Sequence, residues 1–285
     1  MAMREIVQTV RAAAVSEGAG VTVHRTIGTP ARPHLDPFLM LDHFGSSDPD
    51  QYIAGFPDHP HRGFVTLTYM LDGHMLHRDS MGNEGDLRTG GAQWMRAGSG
   101  VIHSEMPRQS EGLMRGFQLW INLPASEKMA DPLYQEIAPR AIPQAEREGA
   151  RVKVLAGEFG GLRGPIEDPH TGLQYLDVAL DPGWAFRHAL EGDLAVLLYV
   201  FEGDLRGAGR ALPAHHLAVL GPGDSLEVQA SGTGARFILV AGRPIGEPIV
   251  QRGPFVMNTR EEIEEALADY RDGRLVRRRA AVTGP

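Results

Sequence analysis

The chain contains no cysteine. Disulfides, iron–sulfur clusters and thiolate zinc sites are therefore excluded, and any metal must be held by histidine and carboxylate. Long hydrophobic runs are missing too: the longest, Leu194 to Phe201, falls far short of a membrane span. Residues Met1 to Val15 carry Arg4, Glu5, Gln8 and Arg11 without an extended apolar stretch, so no signal peptide is expected. Basic residues are in the minority, 28 Lys and Arg against 36 Asp and Glu, and the net charge of −8 argues against a general binder of nucleic-acid backbone. The one basic cluster, Arg274 with Arg277 to Arg279, reads as a solvated tail. The expectation is a cytoplasmic monomer that binds neither nucleic acid nor membrane directly.

Glycine and proline, by contrast, are plentiful. Their 35 and 20 copies punctuate the chain at short intervals, as turns between short strands require. Between them lie β-type segments: Phe64 to Leu71, Gln93 to Arg96, Gly116 to Asn122, Val152 to Ala156, Leu173 to Leu180, Leu194 to Phe201 and Arg236 to Val240. This predicts an all-β protein of the sandwich or jelly-roll type. With 285 residues, 42% of them hydrophobic, two domains are expected. The Pro-, Ala- and charge-rich stretch Asp131 to Gly149 marks the boundary, giving domains 1–140 and 141–285. One helix closes the chain. Thr259 and Glu262 fit a capping box, Ile263, Ala266, Leu267 and Tyr270 share a face, and Gly273 supplies the stop.

Two short motifs carry the chemistry. His59-Pro60-His61 is an H-x-H pair, and His103-Ser104-Glu105 is an H-x-E pair some forty residues on. Residues two apart on a strand point the same way. If the two strands lie side by side, three imidazoles and one carboxylate converge, a set suited to Fe, Mn, Ni, Cu or Zn. With 12 histidines in the chain one such pair means little by itself, but two at strand spacing mean more. Pro60 keeps His59 extended, and Gly98, Ser99 and Gly100 let the chain turn before His103. His77 and Asp79, also two apart, offer a second layer around the ligands or a solvated strand pair. Met70, Met75, Met95 and Met106, with Trp94 and Trp120, read as core rather than as a substrate pocket. The second half lacks an H-x-H near His188 and an H-x-E after Asp224, and is expected to bind no metal.

The run His59-Pro60-His61-Arg62-Gly63-Phe64, then Gln93-Trp94-Met95, then Ala97 to Pro107, resembles the pirin family of two-domain cupins, as do His77 to Gly85 and Gly253 to Thr259. The resemblance implies two cupin barrels with the metal in the N-terminal one, held by His59, His61, His103 and Glu105. Iron is the metal it names, with Mn, Ni, Cu, Co and Zn as alternatives. It implies a quercetin 2,3-dioxygenase-like oxidoreductase taking a flavonol or another aromatic enediol with O₂, Glu105 doubling as the catalytic base. The alternative it implies is an iron-dependent, redox-sensing regulatory protein that docks on a protein partner. The sequence departs from the family pattern at Val65, where a Glu is common, and at Gly91-Ala92, where Gly-Asp is usual. The first departure is expected to remove a carboxylate near the site; the second reads as a turn detail.

Overall fold

The computed structural model describes residues 2–207 and 209–277. Arg278 and Arg279 of the basic cluster lie outside the described residues. The chain forms two compact units. One takes the segment up to Ala13, Thr26–Pro37 and Arg140–Pro244; the other takes Ala14–Arg25, Phe38–Pro139 and the segment from Ile245 onward. One change of unit lies between Pro139 and Arg140. The termini, however, are exchanged with respect to the expected 1–140 and 141–285. The physical reason is edge pairing. Ile6–Arg11 adds as an antiparallel strand to His216–Leu220, so the first residues join the sheet of the later unit.

In the unit holding the histidine motifs, a seven-stranded antiparallel sheet runs in the order Leu133–Ile137, Ala92–Arg96, Phe64–Asp72, Met114–Asn122, Phe38–Ser46, Val21–Ile27 and Ala13–Glu17. A four-stranded sheet runs Phe56–His61, Val101–Pro107, His74–Asp79 and Glu84–Arg88. Val21, Val23, Phe44, Met70 and Met114 of the first pack on Met75 and Leu87 of the second. Alternation makes this possible, because each strand turns every second residue into the gap. Met70 and Met75 are therefore core. So is Met95, which packs with Met81, Ala97 and Val101.

The other unit is built on a nine-stranded sheet. Its backbone order is Ile6–Arg11, His216–Leu220, Ala195–Gly207, Ser225–Gly242, Gln174–Leu180, Ala150–Ala156 and Gln144–Arg147. The residues two apart along these strands, Val152 and Val154, Leu176 and Val178, Leu198 and Val200, Phe237 and Leu239, make one apolar cluster with Phe186. Here His188 Nε2–H donates to Gln174 Oε1 at 2.9 Å, and Phe186 stacks on Phe159.

The predicted helix is Arg260–Arg271, with the full capping box between Thr259 and Glu262. Ile263 and Ala266 are buried as expected, but the third buried position is Asp269, and Tyr270 is 43% exposed. Of the nearby basic cluster, the described Arg274 and Arg277 pair with Asp269, and Arg277 also with Glu265. The helix packs through Phe255, Met257 and Leu275 against Ile102, the residue before His103. Among the described residues no helix is long and apolar enough to cross a membrane. Thr259→Ala removes the cap that satisfies the Glu262 amide and should destabilise the unit by about 1 kcal/mol, read as a lower urea midpoint with an unchanged folded far-UV CD spectrum.

Candidate metal centre

The two histidine strands are neighbours. Val101–Pro107 pairs antiparallel with Phe56–His61, placing His103 directly opposite His59 and Val101 opposite His61. Ring centroids lie 4.3 Å apart for His59 and His103, 4.7 Å for His59 and His61, and 4.9 Å for His61 and His103. One ring nitrogen of each lies within 4.8 Å of the other two. His61 and His103 are buried and His59 is half-buried.

Hydrogen bonding decides which nitrogen faces inward. A carbonyl can only accept, so His59 Nδ1–H donates to Pro57 O at 2.8 Å and His61 Nδ1–H to Pro254 O at 3.4 Å. His103 Nδ1 meets His77 Nδ1 at 3.5 Å, and His77 Nε2 meets Asp79 Oδ2 at 3.2 Å. Burial works against the Asp79 carboxylate, but hydrogen bonds from His77 and Asn83 hold its carboxyl below the usual range. Charged Asp79 accepts from His77 Nε2–H, which leaves His77 Nδ1 to accept from His103 Nδ1–H. The Nε2 atoms of His61 and His103 are then bare lone pairs, buried and without a hydrogen-bond partner among the described residues. Two orphaned acceptors at one point are costly. A divalent cation removes that cost, and neutral Nε2 imidazoles are ordinary ligands for one. The residues fit a metal, and Asp79–His77–His103 is the carboxylate–imidazole chain that commonly orients a ligand. His77 and Asp79 are thus an inner layer around the triad, with Tyr134 stacked on the His77 ring at 4.4 Å.

Glu105 is close by, but its carboxylate is not among the three grouped ligand atoms. The register against Phe56–His61 shifts between His103 and Glu105, so that Glu105 stands opposite Phe56. Two residues of the His59 strand thus face one of the other, a bulge in the His59 strand, while on its other side the Glu105 strand pairs regularly, Glu105 opposite His77. Both carboxylate oxygens are held: Oε1 by Gln93 Nε2, Oε2 by Gln118 Nε2 at 3.4 Å; the Thr68 hydroxyl lies 3.1 Å from Oε1 but its one proton points to Gln118 Oε1 at 2.5 Å. This cradle was not anticipated. Its traces in the sequence are Gln93, inside one of the resemblance motifs, and the alternation of Thr66 and Thr68 in an otherwise apolar strand. Val65 lies between Phe64 and Thr66, and alternation turns it to the face opposite Thr68. A carboxylate at 65 would leave that strand away from Glu105, so the expected loss near the site does not arise. Gly91 donates to Arg88 O at 2.8 Å, as the turn reading of Gly91-Ala92 requires. Trp120 lies 5.1 Å from His61, ring to ring, and its buried indole N–H has no partner among the described residues. It is a wall of the site rather than plain core, whereas Trp94 is buried on the opposite strand face from Gln93.

Two outcomes follow from this geometry. His103→Ala deletes one of three imidazoles and should abolish most of the metal found by elemental analysis, with the folded CD spectrum intact. Burial pushes His61 and His103 well below the ordinary imidazole value of 6.5, aided by their histidine neighbours. In metal-stripped protein the unfolded chain therefore binds protons, below about 6.5, that the folded chain refuses. Stability is full above that pH and should fall as pH drops from about 7 to about 5. Urea midpoints across that range check it, and His61→Phe should flatten the slope.

Comparison with known proteins agrees with this fold. The family model described as Pirin matches residues 20–121, and the one described as Pirin C-terminal cupin domain matches 175–276. A Pseudomonas aeruginosa protein provisionally named a quercetin 2,3-dioxygenase is 51% identical over 266 residues, 90% of this chain and 93% of that one. The crystal structure of a quercetin 2,3-dioxygenase from Acinetobacter baumannii superposes with a TM-score of 0.89 at 31% identity, covering 96% of this chain and 99% of that one. A bacterial pirin from Escherichia coli in complex with nickel(II) shares the fold, with a TM-score of 0.65 at 19% identity over 83% of this chain and 98% of that one. With both halves matched and the two barrels in place, this all-β chain of two cupin domains and a closing helix belongs to the pirin family.

Proposed function

We propose that the chain is a metal-dependent dioxygenase that opens a flavonol-like aromatic enediol, of which quercetin is the model, with O₂. The observation that carries the reading is the pair of buried, unpartnered Nε2 atoms of His61 and His103, facing His59 beside a carboxylate gripped by neutral donors. Iron is the metal proposed, and nickel, held by the Escherichia coli relative, is the first alternative to load. A metal bound there would supply Lewis-acid polarisation of a substrate oxygen and a common anchor for substrate and O₂.

The chain's own residues then have distinct tasks. His59, His61 and His103 would hold the ion as neutral ligands, each oriented through Nδ1, with Glu105 as the proposed fourth ligand. Glu105 is also the proposed base for the substrate hydroxyl proton. Gln93 and Gln118 hold its carboxylate as an acceptor, since each presents an amide N–H to it. Trp120 Nε1–H is free to donate to a substrate oxygen, and its ring with that of Phe64, 4.3 Å away, offers a flat apolar wall. The proposed setting is cytoplasmic.

The test is loss of flavonol absorbance with metal-loaded protein, with and without O₂. Wild type should consume the flavonol only aerobically, and His61→Ala should not. Glu105→Gln should lower kcat by about 10²–10⁴ while the three imidazoles keep metal bound. Equal slow decay in wild type and His61→Ala would overturn the enzyme reading and put the metal-sensing regulatory one in its place.

A further inference from the structure

The strand carrying His61 is followed at once by a residue that has no evident reason to be charged. Arg62 is buried to 1% exposure. A guanidinium in that position is costly unless it is paired and its donors are used. Nε donates to Ser99 O at 2.7 Å, and Nη2 to Asp269 Oδ2 at 2.9 Å. Ser99 sits in the turn that launches the His103 strand. Asp269 sits on the buried face of the C-terminal helix, 207 residues away in sequence. One side chain therefore ties together the exit of the His61 strand, the entry of the His103 strand and the helix.

The backbone repeats the connection. Val256 N donates to Arg62 O at 3.1 Å, and Pro254 O takes the His61 ring proton. Lys128 Nζ, also buried, donates to Gly63 O at 2.8 Å, to Val256 O at 3.0 Å and to Asn122 Oδ1 at 2.6 Å, so all three ammonium protons are used. Packing repeats it again. Gly63, at φ +90°, lies against Val256 O, and Gly100, at φ +142°, lies against Leu275 O, each too close for any side chain. These contacts meet the two ligand strands at the ends nearest His61 and Val101, its cross-strand partner.

We propose that Asp269 is a positioning residue of the metal centre: acting through Arg62, the C-terminal helix holds the His61 strand and the Ser99 turn at the separation that lets one ion take both Nε2 atoms. The proposal rests on the reading of the triad as a metal centre. A merely structural ion pair would add stability and leave affinity alone. A positioning pair sets affinity and ligand geometry, because an imidazole moved by a fraction of an ångström no longer shares its ion well.

Four variants of the full chain separate these possibilities. Asp269→Ala leaves Arg62 unpaired. The double replacement Arg62→Met with Asp269→Leu removes the pair while keeping the site apolar and packed, a change that buried ion pairs often tolerate. Arg115→Ala breaks another ion pair of the same unit, Arg115–Asp72 at 2.9 Å, away from the triad. His103→Ala reports on the triad itself. Nickel(II) affinity is read by competition with a chromophoric chelator, ligand geometry by the visible spectrum of cobalt(II)-loaded protein, and folding by CD of the metal-free form. Asp269→Ala and the double variant should bind nickel(II) about 10–100-fold more weakly and show an altered cobalt(II) spectrum, with Arg115→Ala matching wild type. Wild-type affinity and spectrum in the double variant would overturn the positioning role and leave the metal reading standing. Wild-type affinity in His103→Ala would overturn the metal reading itself, and this proposal with it.

Discussion

The antiparallel register between Phe56–His61 and Val101–Pro107 is the constraint on which the site depends. It sets His103 opposite His59 and His61 opposite Val101, so that three imidazoles meet on one face. A slip of one residue would turn one of the two histidine sets to the other face. The same ladder contains a bulge in the His59 strand, between the partners of His103 and Glu105. Against His74–Asp79 the pairing stays regular, so Glu105 keeps the face of His103. Its carboxylate is held there by the Gln93 and Gln118 amides as a hydrogen-bond acceptor.

Polar pairing carries the chemistry from there. Each triad histidine has its Nδ1 anchored, by Pro57 O, by Pro254 O or by His77, and each anchor leaves Nε2 as the inward lone pair. The anchors come from separate parts of the chain: the His59 strand itself, a turn near residue 254, and the adjacent strand His74–Asp79. Burial adds a second effect. It keeps His61 and His103 neutral, the form in which an imidazole can bind a metal. The cost of burying two bare acceptors is large against the small net stability of a folded domain, which is why a bound cation is the economical explanation for the arrangement.

The two units divide the work differently from what a cut at residue 140 suggests. The unit with the triad takes the closing helix, whose Asp269 neutralises Arg62 beside the ligand strands. The other unit takes the first strand, and its apolar cluster of Val, Leu and Phe fills its interior. Chain order is a poor guide in both cases. A strand joins whichever sheet edge offers free hydrogen bonds, and a helix packs wherever its apolar face finds a match.

Much of this was legible in the residues. Seven of the apolar segments became strands, because period-two burial needs only local alternation. The capping box is local too, and it placed the helix start at Thr259 correctly. The H-x-H and H-x-E spacings named three imidazoles that do meet. What the residues could not show is everything set by contacts distant in sequence. Spacing places Glu105 on the face of His103 but cannot show a bulge in the partner strand. The apolar face drawn through Tyr270 shifts by one residue to Asp269, because a buried arginine far back in the chain requires a carboxylate there. A missing Glu at position 65 looked consequential until strand alternation turned it away from the site. Local periodicity and capping belong to the sequence itself; register, bulges and the pairing of buried charge were decided only when distant strands and the helix were brought together.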